Sequence, residues 1–144
     1  MKYLKFFKIL FCFFLFANSH AELNNFQKGK NLFKEKKYDL AKFKFEQDIV
    51  FNPKNENSYL YLAKIYNIQE DQDKEEKNLE ATLLIEPNNE EAILMSMKIA
   101  LERSNYSKVK DLSNTFSKVC KKLCNENKEI LDTLANIEPK KNES

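Results

Sequence analysis

The chain has 144 residues, with 24 lysines and arginines against 22 carboxylates, three cysteines, one histidine and one glycine. A single glycine excludes glycine-rich phosphate loops and dinucleotide-binding turns. A single histidine leaves almost no material for the commonest general base and metal ligand.

The first 21 residues differ in kind from the rest. Lys2, Lys5 and Lys8 precede an unbroken apolar run over residues 9–17, and Ser19, His20 and Ala21 put small residues at the two sites a signal peptidase reads. This order marks a secretory signal peptide over 1–21. The run is far shorter than the roughly 20 residues of a spanning helix. An uncleaved inner-membrane anchor is the alternative. Cys12 follows the bulky Phe11 and does not read as a lipid-bearing cysteine. Cleavage after Ala21 takes the 24 basic residues to 21 against 22 acidic ones and removes the only histidine. The mature chain is near neutral, so nucleic acid is not an expected partner. The expected location is exported, in the periplasm, with the membrane involved only through an uncleaved signal.

From Glu22 onward apolar residues recur at helical spacing, and no stretch reads as a strand. The first helix is predicted over 24–34, around Phe26, Gly29, Leu32 and Phe33. A second follows over 39–51, with Leu40, Phe43, Ile49 and Val50 as its expected buried side. Helices over 57–68 and 73–86 form the next pair, and 90–103 and 106–122 the third. A last helix over 126–137 carries Ile130, Leu131, Leu134 and Ile137 on one face. Residues 138–144 are a polar tail, expected to be disordered.

These pairs repeat. Pro53-Lys-Asn-Glu and Pro87-Asn-Asn-Glu stand thirty-four residues apart, and in that frame Leu32, Tyr66 and Ala100 share an apolar column while Tyr38 recurs as Tyr106. Each proline ends a helix. Asn55 and Asn89 are placed to cap the next one, and Glu56 and Glu90 add negative charge at its positive end. Here the chain resembles the tetratricopeptide repeat family. Residues 22–55 match at Gly29, Leu32, Tyr38, Ala41, Phe45 and Pro53; residues 56–89 match at Tyr59, Leu62, Ala63, Tyr66, Leu79 and Pro87. Glu75 departs, standing where Ala41 gives the small residue one repeat earlier. Residues 90–123 are a degenerate copy that keeps Tyr106 and Val109 but has Met97 at a small-residue site and Lys121 in place of the proline. The resemblance implies an all-α, short right-handed solenoid of three antiparallel pairs, with 126–137 as its cap.

Chemistry is sparse. No Ser, Thr or Cys has a recognisable base partner, and the acidic stretch at Glu70, Asp71 and Asp73 lacks the spacing of a calcium loop. No enzyme activity and no cofactor are expected. Cys120 and Cys124 sit where the third pair ends. Four-residue spacing on a helix brings the Cα atoms to about 6 Å, inside the disulfide range. The pair admits a structural bridge, two partly buried thiols, or a copper(I) or redox carrier, the last conceivably in cytochrome maturation.

In the family the first helix of each pair lines a concave groove that meets peptides. Transferred column by column, that groove comprises Phe26, Lys30 and Phe33, then Leu60, Lys64 and Asn67, then Leu94, Lys98 and Leu101. Lys30, Lys64 and Lys98 form a basic ladder beside an apolar one. The implied partner is another protein, presenting a peptide with acidic and apolar residues, and the implied role is a non-catalytic adaptor or assembly factor. The family's clamp for C-terminal carboxylates is not expected, since Phe26, Tyr61 and Met95 stand near its polar sites. Self-association through an uncapped end is a further expectation. N-terminal sequencing of the exported protein should begin at Glu22; a chain starting at Met1 would mean an uncleaved anchor.

Overall fold

Seven helices follow one another in the computed structural model, which describes residues 24–137. The signal segment and the tail from residue 138 lie outside the described residues. The helices are α1 (Asn25–Lys34), α2 (Tyr38–Phe51), α3 (Glu56–Ile68), α4 (Gln72–Ile85), α5 (Glu90–Glu102), α6 (Tyr106–Val119) and α7 (Cys124–Ile137). Each packs on its neighbours in sequence, and α7 also closes over α5. The result is an all-α solenoid of three helix pairs and a closing helix.

The repeat extends to the backbone of the turns. Lys36, Glu70 and Ser104 adopt left-handed conformations, with φ of 58°, 58° and 55°, and stand thirty-four residues apart. Around them the same two hydrogen bonds recur. The Lys37, Asp71 and Asn105 amides donate to the carbonyls of Leu32, Tyr66 and Ala100, and the Lys36, Glu70 and Ser104 amides donate to those of Phe33, Asn67 and Leu101. This double closure satisfies carbonyls that a helix end would otherwise orphan. Two of the following helices are then side-chain capped, Asp71 accepting from the Lys74 amide and Asn105 from the Lys108 amide.

Packing inside the first repeat depends on Gly29. Phe45 is fully buried against it, and a Cβ at residue 29 would stand 2.7 Å from the Phe45 ring. The same ring stacks on Tyr61 of α3, with centroids 5.0 Å apart and planes 19° apart. Full burial and the Tyr61 stack leave the ring little room to shift away from a methyl group.

Two expectations need correction here. Leu40, Phe43 and Val50 of α2 do not form its buried side: they are 57%, 54% and 75% exposed, and the face that is buried carries Ala41, Phe45 and Asp48, with Ile49 half-buried. Apolar residues stand on both faces of this helix, so periodicity alone did not choose between them. The side with the small Ala41 is inside because it admits close approach. Asn55 precedes α3 in extended geometry, but its side chain does not cap the helix. It donates instead to the buried Asp48 carboxylate at 2.6 Å, joined there by the Ser58 hydroxyl at 2.7 Å and Asn52 at 3.1 Å. A buried carboxylate without such donors would be costly, so Asp48 recruits the would-be cap. Asn89 does cap, accepting from the Ala92 amide.

The last pair and α7 share one core of Ile93, Met97, Val109, Phe116, Ile130 and Leu134. Leu131 is half-buried, whereas Ile137 is exposed, at the helix end beyond the reach of α5 and α6.

Gly29→Ala should lower stability by about 1–3 kcal/mol through overpacking, even though alanine is the better helix former. Lys36→Gly, in the left-handed turn, should raise it by about 0.5–1 kcal/mol. Urea unfolding followed by circular dichroism reads both.

Candidate functional site

An open cavity of about 340 Å³ lies where the first helices of the three pairs meet. From α1 it receives Phe33, and from α3 Lys64, Asn67 and Ile68. The α5 wall presents Glu91, Met95, Lys98, Ile99 and Glu102, and Glu75 of α4 reaches it from behind.

The predicted groove residues fall into three groups. Phe33, Lys64, Asn67 and Lys98 line the cavity. Phe26 and Lys30 stand outside it on α1, where the Lys30 ammonium lies over the Phe26 ring, 5.4 Å from its centroid. Leu60, Leu94 and Leu101 do not face the groove. Leu60 is buried with Ala63, Leu79 and Ala92, Leu94 is buried among Met97, Val109 and Phe116, and Leu101 packs half-buried on that same cluster. Leu60 meets Leu79 and Leu94 meets Val109 and Phe116, each on the second helix of its own repeat, so a leucine at these positions fills core space.

The lysine ladder is likewise uneven. Lys64 is held by Glu91 at 2.8 Å and lies over the Tyr61 ring. Lys30 is held by Phe26. Lys98 is exposed and forms no ion pair or hydrogen bond among the described residues. The residues missed in the sequence, Glu91, Met95 and Glu102, share one helical face with Lys98 at heptad-like spacing. That face was readable around Lys98, but the thirty-four-residue columns cut across it.

Phe33 and Phe26 belong to an aromatic cluster as well as to the groove side. Phe33 meets Tyr38 and Tyr61 edge-on at 5.5 and 5.2 Å, and Phe26 meets Tyr61 at 5.9 Å. Both are half-buried, and of the two only Phe33 lines the cavity.

Glu75 explains its own departure from the repeat pattern. Its side chain is 4% exposed, and both carboxylate oxygens accept from the Asn67 amide at 3.2 Å. Burial pushes its pKa above the usual carboxylate value, Glu102 nearby adds to the rise, and the Asn67 hydrogen bond opposes it. Glu76, on the next residue, is held below the usual range by Lys108 and Arg103, and Glu90 by amide donors.

Those amides build a second constellation. Cys120 and Cys124 form a disulfide with Cα atoms 5.4 Å apart, across the break between α6 and α7. The backbone N–H groups of Lys121, Lys122 and Leu123, which lie inside this small ring, all donate to the Glu90 carboxylate at 2.9–3.0 Å. Glu90 places a negative charge in the first turn of α5. It also ties the closing helix to the third pair. With the sulfurs joined, the pair presents no thiolate.

No protein-family model matches the sequence, and no curated protein does. Solved structures match in shape. The first tetratricopeptide domain of Spaghetti (RPAP3), bound to the HSP90 peptide SRMEEVD, superposes with a TM-score of 0.65 at 18% identity, over 77% of this chain and 90% of that one. The CopN–Scc3 complex matches with a TM-score of 0.65 at 16% identity, over 81% of this chain and 71% of that one. The fold is that of a tetratricopeptide repeat domain. Within it, the cavity is lined mainly by the first helices of the three repeats, and Glu75 of the second repeat closes it.

A carboxyl whose folded pKa is raised stabilises the protein below its unfolded pKa and loses that contribution as pH rises through the folded value. Glu75→Gln should therefore raise the melting temperature at neutral pH and remove that loss. Glu76 and Glu90 carry the opposite sign: their contribution is present above the ordinary carboxylate pKa of 4.5 and is lost as pH falls below it. Thermal melts of Glu75→Gln and Glu90→Gln across an acid-to-neutral series separate the two.

Proposed function

We propose that this chain is an exported, non-catalytic protein-interaction module, an adaptor or assembly factor of the bacterial envelope, whose concave groove holds a peptide segment of its partner. The observation that carries this reading is the cavity itself. Its walls come from three consecutive repeats, it is open to solvent, and it combines apolar surface (Phe33, Ile68, Met95) with the cation of Lys98, which forms no ion pair among the described residues. Export rests on the order of Lys2, Lys5 and Lys8, the apolar run and Ala21.

The peptide we propose carries acidic and apolar side chains. An acidic group would pair with Lys98, and an apolar one would enter between Phe33 and Met95. Lys64 is less available, because Glu91 neutralises it. The fold neighbour from Spaghetti is bound to a peptide, SRMEEVD, that has that composition. Charged groups at the groove would orient the peptide and speed its encounter, while aromatic and aliphatic contacts would supply most of the affinity.

The test uses the mature chain, residues 22–144, against arrayed acidic–apolar heptapeptides and charge-inverted controls. Lys98→Glu and Met95→Glu are each expected to weaken the peptides that bind by about tenfold or more, or 1.4 kcal/mol. Unchanged binding of every captured peptide by both variants would overturn the groove.

A further inference from the structure

The outer face of α2 is apolar, and it lies apart from the groove. Leu40, Phe43, Val50 and Phe51 are 57%, 54%, 75% and 75% exposed, a concentration no other described helix matches. At 3.6 residues per turn all four fall within an arc of about 100°. The buried arc, with Ala41, Phe45 and Asp48, lies on the opposite side of the helix. Single exposed apolar residues are ordinary on a protein surface, but a continuous stripe along a whole helix marks an interaction surface.

The stripe has a definite period. Leu40, Phe43, Gln47 and Val50 follow one another at steps of three, four and three, the a and d positions of two heptads. Gln47 is half-buried among them, a single polar residue in the seam. The two edges differ in charge. Asp39 and Glu46 flank one side, at g positions; Lys44 and then the exposed Phe51 flank the other, at e positions. Asp39 is mostly exposed, with Lys42 at 3.6 Å and the Gln69 amide donating to it at 3.1 Å, and Lys44 reaches Gln47 at 2.8 Å.

We infer that this face pairs with the same face of a second copy of the chain, the two α2 helices running parallel. In that orientation the g edge of one helix meets the e edge of the other, so Asp39 faces Lys44 of the second copy, twice by symmetry. An antiparallel pair would set g against g and e against e, opposing acid to acid and lysine to lysine. The parallel register also stacks Phe43 on Phe43 and Val50 on Val50 at d positions, and places the two Gln47 amides opposite each other, where they bond to one another. A helix with one acidic edge and one basic edge is complementary to itself only in this way. None of the stripe residues lines the cavity, so the dimer leaves both grooves open.

Sedimentation equilibrium of the mature chain, with its disulfide intact, should show a concentration-dependent dimer. Phe43→Glu and Val50→Glu should each weaken it by about tenfold or more, because each would bury a charge. Both residues are exposed in the monomer, so circular dichroism should show unchanged helix content and melting. Asp39→Lys and Lys44→Asp should each weaken the dimer, and the double exchange should restore it. Phe43→Cys should cross-link to its own copy on mild oxidation. A monomer at all concentrations would overturn the inference, as would a dimer indifferent to Phe43→Glu. Failure of Phe43→Cys to cross-link in a persisting dimer would overturn the parallel arrangement. Binding to anionic phospholipid vesicles by a monomer, abolished by Phe43→Glu, would assign the face to a lipid surface instead. Peptide binding by the dimer-deficient variants reports on the groove separately.

Discussion

Everything in this domain depends on the contact in which Phe45 is held between Gly29 and Tyr61. A two-helix repeat is too thin to bury its own apolar face, so it becomes stable only by handing that face to the next repeat. Phe45 does this literally. Its ring closes the first pair at Gly29 and stacks on Tyr61 of the second. The aromatic cluster around Tyr61 then positions Phe33, so the same contact that joins two repeats sets one wall of the cavity.

Polar groups repeat this logic at the junctions. Asp39 accepts from Gln69 at 3.1 Å, and one repeat on Asp73 pairs with Arg103 at 2.9 Å, the same two columns holding successive repeats in register. Arg103 and Lys108 also converge on Glu76, making this junction the more heavily charged one. At the closing end the device changes, and Glu90 with its three amide donors stands where a further repeat would otherwise continue.

Much of the fold was legible because its signals are local and periodic. Prolines, caps and apolar columns each repeat at thirty-four residues, and helix ends fell within a few residues of their expected places. What stayed hidden depended on competition between two faces or two partners. On α2, Leu40, Phe43 and Val50 are as apolar as Phe45, and only the close approach allowed by Ala41 and Gly29 decides which face goes inside. Asn55 carries a cap's side chain in a cap's place, yet the buried Asp48 carboxylate claims it. Glu91 could not be read as the partner of Lys64 either, since they lie on different helices and meet only when the pairs stack. For the same reason the repeat columns point Leu60 and Leu94 to a groove although they fill the core.

The cavity draws its walls from α1, α3 and α5, so its width is not a property of any one helix. It is set by two stacking angles, one at each junction between pairs. Small rotations at Tyr61 or at the Arg103 cluster add together across the groove and spread or narrow its mouth, as the coils of a spring change its bore. An occupant that touches Phe33 and Lys98 together would span both junctions and act as a splint, stiffening repeats it does not itself touch.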